Sequence, residues 1–149
     1  MNFDKYAQKG NEMLNTLAKD LEMDKEDAGR ILRAVLYAMR DHLSIQESLR
    51  VVDQLPMAIK GVYVSNWNIS RKPERIRSVS DFLDSVRQYQ GLPPENDVQD
   101  NNVALFALQA VFRMLNKYIS DGEFEDIISV MPVKIKDFIS SNIGRDKIM

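Results

Sequence analysis

Residues 34–63 return, without a gap, 76 positions later at residues 110–139. The identical pairs are Ala34/Ala110, Val35/Val111, Ser44/Ser120, Glu47/Glu123, Pro56/Pro132, Ile59/Ile135 and Lys60/Lys136. Conservative pairs fill much of the remainder: Leu36/Phe112, Met39/Leu115, Leu43/Ile119, Val51/Ile127, Val52/Ile128 and Leu55/Met131. The matches fall on caps and prolines as well as on apolar positions, so one supersecondary unit is written twice.

Each unit can be read from its start and stop signals. Ala28, Ile31, Leu32, Val35, Leu36, Met39 and Leu43 recur at helical spacing and predict a helix over about 25–43 with one apolar stripe. Asp24 stands at the N-cap position, with Glu26 and Asp27 at the positive end of the helix dipole. Ser44 with Glu47, and Ser120 with Glu123, both fit a capping box, so a second helix starts at each. It carries Leu49, Val52 and Leu55 in one copy and Phe124, Ile127, Ile128 and Met131 in the other. Pro56 and Pro132 stop these helices, because the residue before proline is driven from helical geometry while proline suits a new first turn. Short helices follow, bearing Ile59, Val62 and Tyr63, or Ile135, Phe138 and Ile139.

An opening helix precedes each long one. The first covers about 3–21, with Tyr6, Met13, Leu14, Leu17 and Leu21 as its inner face; the second runs from about Ser80 to Tyr89, with Gly91 as C-cap. Val62-Tyr63-Val64 is the best strand candidate and has no partner. The expected fold is all-α: two tandem four-helix units, about eight helices, packed as a bundle or α/α array. Residues 1–66 form the first unit and 80–149 the second, joined by a basic linker over 67–79 within one compact domain. A second departure from the repeat, residues 92–102, is acidic; Pro93-Pro94 holds it extended, and Asp97 or Asp100 could cap the long helix that follows.

Composition narrows the functional classes. A chain of 149 residues buries about 68–70% of its unfolded surface, so it needs no metal or disulfide staple. The absence of cysteine removes disulfides, thiolate metal sites and a thiol nucleophile. A net charge of −2 provides no global field for nucleic acid or acidic lipid. The start Met1-Asn2-Phe3-Asp4-Lys5 lacks the pattern of a signal peptide, and no apolar run is long enough for a membrane span. Cytoplasmic localisation is the expectation.

Several of these residues, taken together, resemble a known family. Ala34-Val35-Leu36, Gln54-Leu55-Pro56, Ile59-Lys60-Gly61-Val62-Tyr63, Trp67 and Asp81-Phe82-Leu83-Asp84-Ser85-Val86 are similar to the bacterial family named domain of unknown function 2267. Ala110-Val111-Phe112, Ile119-Ser120-Asp121-Gly122-Glu123 and Met131-Pro132 continue the likeness, which covers about residues 28–139. A leucine–proline corner is typical of both units; here the second is Met131-Pro132. The resemblance implies a duplicated helical fold and supplies no reaction and no site residues.

No constellation in the sequence specifies chemistry. His42, the only histidine, sits at a helix C-terminus, where the dipole favours positive charge; its counterpart is Tyr118, and a structural role is expected. Asp20 to Asp27 lacks the glycine and final glutamate of a calcium loop. Glu123, Glu125 and Asp126 are explained by capping, and nucleotide-binding and hydrolase motifs are absent. Gly29 lies inside the long helix, at a cost of about 1 kcal/mol against alanine, and implies close approach of another helix. The most suggestive local cluster is Trp67 with Arg71, Lys72, Arg75 and Arg77, an aromatic among basic side chains that could stack a base and track phosphates. The expected function is a non-enzymatic helical module that binds an unknown protein partner or itself, with no metal, no cofactor and no membrane. The alternatives are a small-ligand binder or enzyme with a pocket at the seam between units, and a weak nucleic-acid binder acting through the linker.

Overall fold

The computed structural model describes residues 1–89 and 101–142. Gly91, Pro93-Pro94, Asp97, Asp100 and most of the acidic segment 92–102 lie outside the described residues. Within them are eight helices and no strand: α1 (Asp4–Leu21), α2 (Lys25–His42), α3 (Ile45–Gln54), α4 (Met57–Val64), α5 (Val79–Gln88), α6 (Asn101–Tyr118), α7 (Asp121–Val130) and α8 (Val133–Asn142). The chain is all-α.

The punctuation residues act as their chemistry requires. Asp24 caps α2 by accepting the Asp27 N–H at 2.8 Å. In both capping boxes the serine hydroxyl takes the glutamate N–H at 3.1 Å, and the glutamate takes the serine N–H at 2.8 Å. Those bonds stabilise the ionised Glu123 and lower its pKa. Before the prolines, Leu55 and Met131 are extended, with ψ of 147° and 152°. α1 ends in a left-handed turn at Glu22, φ 54°. α5 starts a residue before the expected Ser80, because the Ser78 hydroxyl accepts the Asp81 N–H at 3.2 Å.

The long helices α2 and α6 are the centre of the core. Every residue of the α2 stripe read from sequence is buried, and Ala34, Tyr37, Ala38, Arg40 and Asp41 are buried as well, so α2 is enclosed on nearly all sides. The matching helices α2 and α6 share the 76-residue shift at both ends, as do α3 and α7. The opening helices follow a different register. Met13, Leu17 and Thr16 of α1 correspond to Phe82, Val86 and Ser85 of α5 at a shift of 69. The seven-residue difference falls between Tyr89 and Asn101.

Helix packing repeats the same correspondence. α1 packs on α2, α4 and α6, while α5 packs on α6, α8 and α2. α2 meets α3 and α4 as α6 meets α7 and α8; α3 touches α4 as α7 touches α8. The remaining two pairs, α2 with α6 and α3 with α7, join counterparts. Exchanging the halves therefore maps this set of contacts onto itself. Each opening helix lies on the long helix of the other half as well as on its own, so the halves are interleaved.

Two expectations need correction. Leu49 is not on the inner face of α3; it is 52% exposed, whereas Ser48 is fully buried. The inner stripe is Ser48, Val51 and Leu55, because the Ser48 hydroxyl pairs with the buried Tyr63 hydroxyl at 2.7 Å. Gly29 is not the site of close helix approach either. A Cβ there would meet only Leu14 methyls, 3.8 Å away, whereas a Cβ on Gly10 would lie 2.8 Å from the Ala58 Cβ. The tight crossing is that of α1 with α4.

Candidate functional site

The C-terminal half of α2, the first turn of α3 and the linker enclose a half-open cleft of about 670 Å³. Its size falls in the range of small-ligand sites. Tyr37, Arg40 and Asp41 come from α2, Ser44, Ile45 and Gln46 from the start of α3, Asn66 from the turn after α4, residues 67–73 from the linker, and Tyr89 from beyond α5. Local backbone geometry supplies the linker wall. α4 ends at Val64, and Asn66 takes a left-handed conformation, φ 54°, which asparagine tolerates better than most residues. The turn lays Trp67 edge-on to Tyr63, with ring centroids 6.0 Å apart.

Arg40 dominates the cleft wall. It is only 8% exposed, and Nη1 donates to the carbonyls of Tyr63 (2.8 Å) and Ser65 (2.6 Å). Its guanidinium lies 4.0 Å from the Tyr37 ring centroid and 6.0 Å from that of Trp67, within cation–π range. Among the described residues no carboxylate lies within ion-pair distance of it, and Nε has no hydrogen-bond partner. Buried charges are ordinarily paired; this one is held by carbonyls and aromatic faces alone.

Asp41, its neighbour, has both carboxylate oxygens engaged. Its carboxylate accepts the Tyr89 hydroxyl and, at 3.4 Å, Arg71 Nη1. Arg71 also pairs with Glu74, and these two carboxylates, Glu74 first, raise its pKa further above the usual range. Burial, followed by the bond to Asp41, pushes the Tyr89 hydroxyl up to about 12. The Tyr63 hydroxyl is also raised to about 12, chiefly by burial. Both phenols are neutral at physiological pH, and Tyr89 is the donor in its bond to Asp41.

The linker is fastened to the end of α2. Glu74 N–H donates to the Asp41 carbonyl at 2.7 Å. His42 Nδ1–H donates to the Glu74 carbonyl at 2.7 Å, and Nε2 shares a hydrogen bond of 2.8 Å with the Ser85 hydroxyl. His42 thus ties α2, the linker and α5 together. Its counterpart Tyr118 pairs with Thr16 of α1 at 2.6 Å, the position equivalent to Ser85.

Of the basic cluster read from sequence, the fold brings Trp67, Arg71 and Lys72 to the cleft. Arg75 and Arg77 are exposed and do not line it; the Arg77 N–H is bound to Asp81 at 2.9 Å. Sequence reading missed Tyr37, Arg40, Asp41 and Tyr89. The repeat held a usable signal, because the second half places Arg113, Asn116 and Lys117 where the first has Tyr37, Arg40 and Asp41. Likewise Phe124 and Ile139 replace Ser48 and Tyr63. The same packing is achieved there without the polar cluster, so the cluster is not a requirement of the architecture.

Among the described residues no three metal-ligating side chains gather, and no helix is long and apolar enough to cross a membrane. No curated protein matches the chain. Residues 10–138 match the family described as Uncharacterized conserved protein (DUF2267). With most of its length covered by that match, the chain belongs to the DUF2267 family.

Proposed function

We propose that the protein is a small-ligand binding module whose site is the cleft between α2, α3 and the linker, on one half of a duplicated helical unit. One observation carries this reading: Tyr37, Arg40 and Asp41 are buried polar groups of the cleft wall, backed by the buried Ser48–Tyr63 pair, where the equivalent positions of the second half hold Arg113, Asn116, Lys117, Phe124 and Ile139. Buried polar groups cost stability unless satisfied, and α6 to α8 pack in the same way without them. Binding is favoured over catalysis because Asp41, the carboxylate of the cleft, is already engaged by Tyr89 and Arg71.

Trp67, the only tryptophan, lies in the cleft and reports occupancy through its fluorescence. In a thermal-shift screen of carboxylates, phosphates, amines and neutral sugars, at least one class is expected to raise Tm and saturably change Trp67 emission. If every class leaves both unchanged at millimolar concentration, the reading fails.

A protein-interaction module is the second reading. It draws on Ile45 and Ile69, exposed at 44% and 59% beside the same cleft. It predicts a partner whose capture depends on both isoleucines, measured by pull-down with wild type against Ile45→Ser/Ile69→Ser.

A further inference from the structure

We infer that the cleft selects an oxyanion, a phosphate or carboxylate, carried on a flat apolar body. The inference rests on the ligand-binding reading above and adds the chemical class. Among the described residues, three cations, Arg40, Arg71 and Lys72, line the cleft against one carboxylate, Asp41. Asp41 and Glu74 partly offset Arg71, whereas Arg40 has no ion-pair partner among the described residues.

A second positive feature is independent of these side chains. The first turn of α3, a ten-residue helix, forms part of the wall. Its capping box consumes the N–H groups of Ser44 and Glu47, which leaves those of Ile45 and Gln46 for an outside acceptor. A helix N-terminus and a fixed guanidinium facing one cleft favour negative charge. Arg71 and Lys72, both exposed, can follow a ligand as it seats, whereas Arg40, held by two carbonyls, cannot. The flat body is set by Trp67, which is half-buried and offers an aromatic surface beside the charge, with Ile45 and Ile69 completing an apolar rim.

The test uses four probes of similar shape: phenyl phosphate, benzoate, benzyl alcohol and benzylamine. Each is titrated into the intact protein and read by Trp67 fluorescence and by calorimetry. At least one anion is expected to bind saturably, and the two anions distinguish a phosphate source from a carboxylate. The alcohol and the amine are expected to bind at least tenfold more weakly. Arg71→Gln/Lys72→Gln should lose about tenfold or more in anion affinity. Because Arg71 also pairs with Asp41 and Glu74, the thermal melt of this double variant is recorded alongside that of Lys72→Gln, which should melt as wild type and bind the anion more weakly. Arg40→Lys retains charge but loses the planar fork, and is expected to weaken the anion further. Alcohol or amine binding as tightly as the anions, or full anion affinity in the double variant, overturns the oxyanion class while leaving the cleft reading intact. Silence of all four probes, together with an unproductive broader screen, removes both.

Discussion

Gly10 and Gly29 show how much depends on one hydrogen replaced by a methyl. Both lie within helices, where glycine costs about 1 kcal/mol against alanine. A methyl on Gly10 collides with Ala58 at 2.8 Å, whereas one on Gly29 makes ordinary contact with Leu14. Gly10→Ala is expected to destabilise the protein by about 1–3 kcal/mol, and Gly29→Ala to stabilise it by about 0.5–1 kcal/mol, both measured by urea unfolding. Periodicity could not separate the two, because it reports which face a residue occupies and not how near the facing backbone comes.

Ser48 and Tyr63 carry a similar lesson. Serine reads as an outward residue and leucine as an inward one, so Leu49 displaced Ser48 from the expected core. A hydroxyl partner in the interior reverses that order, and the partner lies on another helix. The equivalent Phe124, read as apolar, gave the right face in the second half. Tyr63, raised to about 12 by burial, also sets a pH dependence. Its unfolded pKa is ~10, so between pH 10 and 12 the folded state retains a proton that the unfolded state has released. Stability is therefore full below pH 10 and falls as pH rises toward 12. The urea midpoint should drop across that window, and Tyr63→Phe should flatten the decline. Tyr89 contributes in the same direction but less, being more exposed and screened by solvent.

At the scale of elements, the boundaries were the most legible part of the sequence. Capping boxes and proline corners act through neighbours three residues away or fewer, so their outcome scarcely depends on the rest of the fold. α3 and α7 consequently begin where Ser44 and Ser120 place them. Ser44→Ala and Ser120→Ala are each expected to cost about 1 kcal/mol of global stability, and Ser44→Ala should also weaken ligand binding, because it loosens the α3 turn that walls the cleft. Equal effects of the two alanines on binding would contradict that assignment. The cleft itself was only partly legible. Trp67, Arg71 and Lys72 are close in sequence and stood out together, whereas Tyr37, Arg40, Asp41 and Tyr89 reach the cleft only after α2 and α5 have packed.

At the scale of the whole molecule, the helices of the two sequence halves interleave, which a reading of consecutive units did not foresee. α1 lies on α6 and α5 lies on α2, with Thr16–Tyr118 and Ser85–His42 as reciprocal latches. Asp20–Arg113 at 3.0 Å and the Tyr37–Tyr89 ring pair at 5.3 Å occupy equivalent places beside them. A half-chain would expose the inner faces of both its long and its opening helix. Residues 1–78 and 79–149, expressed separately, are expected to lack a cooperative thermal transition and to regain one when mixed; a half that melts cooperatively by itself would show the units to be independent.

The central claim, that the polar face of the first half exists to hold a ligand, is open to a direct reading at Trp67. Its indole N–H gives a single cross-peak in a ¹⁵N-correlated NMR spectrum, in a chain with one tryptophan. On addition of phenyl phosphate or benzoate that peak should move saturably, together with the amides of Ile45 and Gln46, while those of Asp121 and Gly122 at the equivalent α7 turn stay still. Equal movement at both turns, or none at Trp67 with any ligand class, would contradict the account.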